Sequence, residues 1–197
     1  MIRQATLPLL FVLAPSLQPD PVEALERRIQ RAALRREPVI LGTAAAPYEP
    51  AGRGGDSSPL RRLLPCADGL EVAVTTASPR ILGELDLLAE LDRRHSVTVK
   101  MVTPVPSHLD PGPRLRAANS LAAEGITTIL LLAPAAEPSG RIEEELRFLL
   151  EKAREAEVHD VEIETAPLRR ADRAGLRSTF EGLRLEYGFP RGYAGRG

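Results

Sequence analysis

Thr127-Thr128-Ile129-Leu130-Leu131-Leu132-Ala133 is the stretch on which the fold turns. From Ile129 to Ala133 every residue is apolar, with no polar alternation, as expected of a strand buried on both faces. Such strands belong to parallel sheets whose crossover helices cover them. Helical patterns stand on either side. Leu115, Ala118, Leu121 and Ala122 mark a helix closed by Gly125, and Ile142–Glu157 is a charged amphipathic helix.

The alternation continues to both ends of the chain. Leu9–Leu13 reads as a first strand. Asp20 then supplies an N-cap carboxylate, Pro21 suits the first helical position, and Glu23 follows the cap by three residues. Val22, Leu25, Ile29 and Leu34 form the apolar stripe of that helix. Pro38 stops it and opens the strand Val39-Ile40-Leu41, which Gly42 ends. Pro47–Pro59 is a loop, followed by a short helix over Leu60–Leu64 and a third strand, Leu70–Val74. Ser78-Pro79 caps and opens a long helix with Ile81, Leu82, Leu85, Leu88 and Leu91 on its buried face.

Val97–Val102 is the fourth strand, with Thr98, Lys100 and Val102 on one face and Val97, Val99 and Met101 on the other. Pro104–Pro113 is a loop, Thr127–Ala133 the fifth strand, and Val158–Thr165 the sixth, where Val161 and Ile163 alternate with Glu162 and Glu164. A last helix is expected over Asp172–Tyr187. The reading is one α/β domain over residues 1–187, with 188–197 as a flexible tail. Alternating strands and helices imply parallel strands joined by right-handed crossovers. Six such units build either a doubly wound sheet or a partial, open βα barrel. In both, sites lie beyond the strands' carboxyl ends, here Gly42–Gly52, Thr75–Ser78, Val102–Ser107 and Ala133–Gly140.

Composition narrows the class. A chain of 197 residues suffices for one buried core, and 43% hydrophobic with 27% charged residues is ordinary for a globular domain. A net charge of -1 creates no field that draws nucleic acid or an anionic membrane, so neither is an expected partner. The apolar run Leu7–Ala14 is broken by Pro8 and lacks a small-x-small cleavage site, so it reads as a strand rather than a secretory signal. No stretch reaches the ~20 apolar residues of a membrane span, and a cytoplasmic location is expected. Cys66 is the one cysteine, which excludes an internal disulfide and a zinc site of several thiolates. It should be a reduced, partly buried thiol.

Pro38-Val39-Ile40-Leu41-Gly42-Thr43-Ala44-Ala45-Ala46-Pro47-Tyr48-Glu49-Pro50-Ala51 resembles the second strand and following loop of radical SAM proteins close to spore photoproduct lyase. In that branch a Gly-Thr pair precedes an Asp-Pro-Tyr-Gln-Pro stretch. Val72–Leu91 is similar to the next unit, Val97–Val102 to the fourth strand, and Pro111–Ala133 to the loop, helix and fifth strand that follow. The likeness runs in order over residues 5–190. It implies a partial βα barrel, a [4Fe–4S] cluster on three clustered cysteines, and reductive cleavage of S-adenosylmethionine. It therefore favours the six-unit partial barrel over the doubly wound sheet.

The departures matter as much. Met1–Gln18 holds no cysteine, histidine or carboxylate side chain, Ala46 stands where the family has an acid, and Gly52 stands where it often has a glutamate. A lone Cys66 cannot replace three thiolates. The iron–sulfur cluster and radical chemistry are accordingly not expected of this chain, and no catalytic residue or metal ligand is assigned. The cofactor-binding set that the resemblance leaves is Gly42, Thr43, Tyr48, Thr75, Thr76, Ser78 and Lys100.

Each of these has a plainer role. Thr43 would satisfy a turn at a strand end, Tyr48 would cover the barrel mouth with its hydroxyl in water, and Ser78 would cap a helix. Lys100, in an otherwise apolar strand, needs a partner, and would mark an anion site or a Schiff-base lysine if it faces inward. His95 at a helix end would be a cation favoured by the helix dipole. His108 with Asp110, and His159 with Asp160, lack a third ligand, Arg53-Gly54-Gly55 reads as a solvent loop, and Glu143–Glu145 as a solvated helix face.

Three functions follow. The first is a degenerate radical SAM-like domain that binds a small molecule, S-adenosylmethionine among them, or a protein partner. The second is the C-terminal portion of a radical SAM enzyme whose cluster-binding segment is missing or supplied by another chain. The third is a cluster-free enzyme built on Lys100 and a carboxylate.

Overall fold

The computed structural model describes residues 27–50 (without 28, 33 and 36), 58–105 (without 67), 110–134, 142–164 and 170–188. Strands β1 (Val39–Leu41), β2 (Glu71–Thr76), β3 (Ser96–Val105), β4 (Thr127–Pro134), β5 (Asp160–Glu164) and β6 (Arg184–Gly188) form one six-stranded sheet. All neighbours are parallel, and spatial order follows chain order. Helical residues within 27–35 (α1) precede β1. Between the later strands lie 3₁₀ turns at Pro59–Leu63 and Pro79–Glu84, then α2 (Leu85–Asp92), α3 (Gly112–Ala123), α4 (Ile142–Glu155) and α5 (Arg170–Thr179).

A doubly wound sheet needs a point where the strand order reverses. None occurs among the described strands. Right-handed crossovers that always step the same way lay their helices on one face of the sheet. Burial agrees. Val72, Val74, Val97, Val99, Met101, Leu130, Leu132, Val161 and Ile163, all of one parity, are buried. Ala73, Thr98, Lys100, Ile129, Glu162 and Glu164, of the opposite parity, are half-buried. On that second, helix-free face Thr75, Val102 and Leu131 are buried. Val102 and Leu131 are register partners, and Leu131 also pairs with Glu162.

Most sequence assignments hold within a residue or two, but several are corrected. The helix expected over Asp172–Tyr187 ends at Thr179, and Arg184–Gly188 is instead β6, paired residue for residue with β5. Leu176, Phe180, Leu183 and Tyr187 recur at helical spacing, yet Leu183, Leu185 and Tyr187 also alternate at strand spacing. The open backbone edge of β5 selects the strand. Gly188 thus belongs to the sheet and not to a tail, and residues 189–197 lie outside the described residues, as do Leu9–Leu13, Asp20, Arg53-Gly54-Gly55 and His108. The sheet still counts six strands, with β6 in it and the Leu9–Leu13 assignment untouched.

On α1, Ile29 is buried but Leu34 is 87% exposed. Five residues at 3.6 per turn put Leu34 about 140° away from Ile29, off the stripe. Leu82 likewise leaves the stripe of the 3₁₀ segment and is exposed. The strand β3 extends through Pro104 to Val105, beyond the loop boundary expected there. No helix among the described residues is long and apolar enough to cross a membrane.

Candidate functional site

The loop after β1 is tied down by backbone bonds that its sequence makes possible. Thr43 N–H donates to Ala46 O at 2.9 Å, and Ala46 N–H donates to Thr43 Oγ1 at 3.0 Å, so Thr43 closes a turn as its plainer role requires. Tyr48 N–H then donates to Thr75 O at 2.7 Å, and Thr76 Oγ1 donates to Tyr48 O at 2.7 Å. The chain crosses the end of β2 at Gly42, whose φ is +79°.

These bonds carry Tyr48 inward. Its hydroxyl donates to Glu84 Oε2 at 2.9 Å and lies 3.1 Å from Ser58 Oγ, which also accepts Leu60 N–H. Tyr48 is 5% exposed and Glu84 4%. The hydroxyl in water expected for Tyr48 is therefore corrected: it serves a buried polar junction between the loop, a 3₁₀ turn and the sheet. Burial, chiefly, and then the Glu84 charge push the phenol above its ordinary value, against the Ser58 hydrogen bond that lowers it. A ring so enclosed packs in the core. Ser78 occupies the cap position of its 3₁₀ turn without a side-chain cap bond, and its N–H donates to Thr76 Oγ1 at 3.1 Å.

The Thr75 and Lys100 side chains lie elsewhere, side by side in register on the helix-free face. Lys100 Nζ donates to Glu162 Oε2 of β5. That contact spans the whole of β4, since Lys100 pairs with Ile129 and Leu131 pairs with Glu162. Glu164 follows two residues along the same face. Burial, the neighbouring Glu162 charge and, in opposition, Lys100 hold its carboxyl above the ordinary range. The cofactor set is thus divided: Gly42, Thr43, Tyr48, Thr76, Ser78 and the Thr75 carbonyl build the loop and its polar junction, while the Lys100 side chain joins a charged cluster on the open face.

Glu84, Glu162 and Glu164 were missed as candidates. Glu84 stands three residues after Ile81 and four before Leu88, a carboxylate on an apolar stripe, and that spacing was a readable signal. Glu162 and Glu164 read as an ordinary polar face until the register put Lys100 against them. His95 follows the C-terminal end of α2, where the sequence placed it. It is buried, Leu70 N–H donates to its Nδ1, and its Nε2 faces Leu63 O, each at 3.4 Å. The side chain thus ties two loops together.

A four-iron cluster needs three thiolates near the carboxyl ends of the strands. Cys66 lies five residues before β2 begins, at the amino end of the sheet, with Sγ 3.5 Å from Arg62 O. Nearby, Arg94 donates to Leu64 O, to Cys66 O and to Asp68. Among the described residues no group of three or more His, Cys, Asp or Glu side chains is placed to hold a metal ion. The residues present do not fit the cluster.

The pair at Lys100 supports a prediction. A Glu164 carboxyl raised above 4.5 in the native state contributes stability below that pH and loses it as pH rises through the native value. Glu164→Gln should therefore stabilise the protein at pH 7, by less than about 1 kcal/mol for a half-exposed group. The gain should vanish near pH 4, where the carboxyl is protonated in both states. Urea midpoints of both proteins at the two pH values check this, and a variant less stable at pH 7 contradicts it.

Comparison of the chain with protein-family models, with curated proteins and with solved structures finds no match.

Proposed function

We propose that this chain is a radical SAM-like domain that has lost its iron–sulfur motif and acts as a non-catalytic module. Its helix-free face binds a small molecule or a protein partner. The observation that carries the reading is the Lys100–Glu162 contact across β4. Strands β3 and β5 are about 9–10 Å apart by ordinary spacing, so their side chains converge best if the sheet curls toward this face. A sheet with sequential order, one-sided helices and that curl is an open partial barrel, and its concave side is where such folds hold ligands.

The sequence resemblance makes S-adenosylmethionine the first ligand to test, and Lys100 the residue that would meet its carboxylate. No redox step is assigned to the module. Two measurements test the proposal. Anaerobic reconstitution with iron and sulfide should leave the protein colourless, and a brown protein with four irons per chain overturns it. Calorimetric titration with S-adenosylmethionine should give saturable heat that Lys100→Met removes. Absence of heat from the wild type assigns the face to another small molecule or to a protein.

A further inference from the structure

We propose that the outer edge of β6 pairs antiparallel with β6 of a second copy of this chain, in a register centred on Leu185 that sets each Arg184 opposite a Glu186. The inference is independent of what the helix-free face binds.

β6 is the last strand of the sheet, and among the described residues no strand lies beyond it. Arg184 N–H donates to His159 O at 2.8 Å, so the backbone groups of Arg184 face β5. Direction alternates along a strand, which turns Glu186 toward β5 as well, and Leu185 and Tyr187 outward. Their N–H and C=O groups are a template on which another strand can add. The opposite edge differs. β1 is three apolar residues long and sits between Pro38 and Gly42, which leaves little ladder to extend.

The side chains choose the occupant. Charges on an edge strand usually keep other strands away. Here they alternate in sign about Leu185, as Arg184-Leu185-Glu186, and both charged residues are exposed. A two-fold axis through Leu185 therefore opposes Arg184 and Glu186 twice over. These are non-hydrogen-bonded positions, where facing side chains approach most closely. A slip of two residues either way faces Arg184 with Arg184, or Glu186 with Glu186, so the charges select one register. Within its own sheet Glu186 lies beside Glu162, and a guanidinium from a second chain relieves that like-charge neighbour. Arg184 also holds Asp160, and its fork of donors can serve two carboxylates. A pair of five-residue strands buries less than the ~1,200 Å² of a tight interface, so the dimer is weak and reversible.

The test is sedimentation equilibrium of the full chain from about 10 μM to about 1 mM, where the wild type should form a reversible dimer with a Kd of about 100 μM. Glu186→Arg and Arg184→Glu each place two like-charge pairs across the axis, and each should weaken association roughly tenfold. Neither change should unfold the monomer. The first removes a like charge beside Glu162, and the second gives up only an exposed ion pair. An equal mixture of the two variants restores opposite charges at both positions and should dimerise as the wild type does. Amide exchange at Leu185 should slow with protein concentration, while that at Glu186, whose N–H faces β5, should not. A wild type that stays monomeric to about 1 mM, single variants that dimerise unchanged, or a mixture no tighter than its components overturns the inference. None of these outcomes bears on iron–sulfur reconstitution or on S-adenosylmethionine binding, so the proposed function stands or falls separately.

Discussion

Gly42→Ala is expected to destabilise the protein by about 3 kcal/mol. A side chain at a φ of +79° is strained wherever it points. Here it also has no room. A Cβ would lie 2.4 Å from Thr75 O and 2.4 Å from Tyr48 N, the two atoms whose hydrogen bond, at 2.7 Å, holds the loop over β2. Both are backbone atoms, so relief requires that bond to open. Left-handed backbone costs an alanine about 1–2 kcal/mol, and a broken buried bond adds about 1–3 kcal/mol. Tyr48 would then lose its seat against Glu84 and Ser58. Urea unfolding should show a lower midpoint with similar slope, and spectrophotometric titration should show one phenol returning toward its ordinary ionisation. A variant as stable as the parent would mean that the loop does not cross at Gly42.

Leu132→Ala should cost about 2–5 kcal/mol, through lost burial and the cavity left behind. Leu132 is fully buried in β4, between Thr103 of β3 and Ile163 of β5. Its neighbours belong to a sheet pinned by hydrogen bonds on both sides and have little freedom to collapse inward. Leu34→Ala is the matched contrast. Leu34 is 87% exposed, so the change should stay within about 0.5 kcal/mol. Equal losses for the two would contradict the placement of α1 described above. Urea midpoints for both variants decide it.

Much of the fold was legible because it depends on local patterns. The uninterrupted apolar run Ile129–Ala133 marks a strand, and β4 is one, although its helix-free face leaves Ile129 and Ala133 only half-buried. Pro38 and Gly42 bracket β1, and Val97, Val99 and Met101, which share a face by parity, are buried together. Leu176 to Tyr187 was not legible, since the same residues satisfy helical and strand spacing, and only the unpaired edge of β5 separates the two. The site was legible in part. Lys100 stood out as a charge in an apolar strand, but nothing near it in sequence indicates a partner sixty-two residues away. Tyr48 was singled out for the right loop and given the wrong surroundings, because its role depends on Glu84, thirty-six residues on.

The amino-acid order by itself determined the alternation of strands and helices, the parallel class and the lack of a thiolate cage, since periodicity, breakers and composition act over a few residues or over the whole count. Tertiary structure alone decided that the strands stand in chain order, that Tyr48 is sealed inside, and that Lys100 faces Glu162 with Glu164 beside it. Those are consequences of register, and register is set only when distant strands compete to bury their apolar parity and satisfy their backbone groups at once.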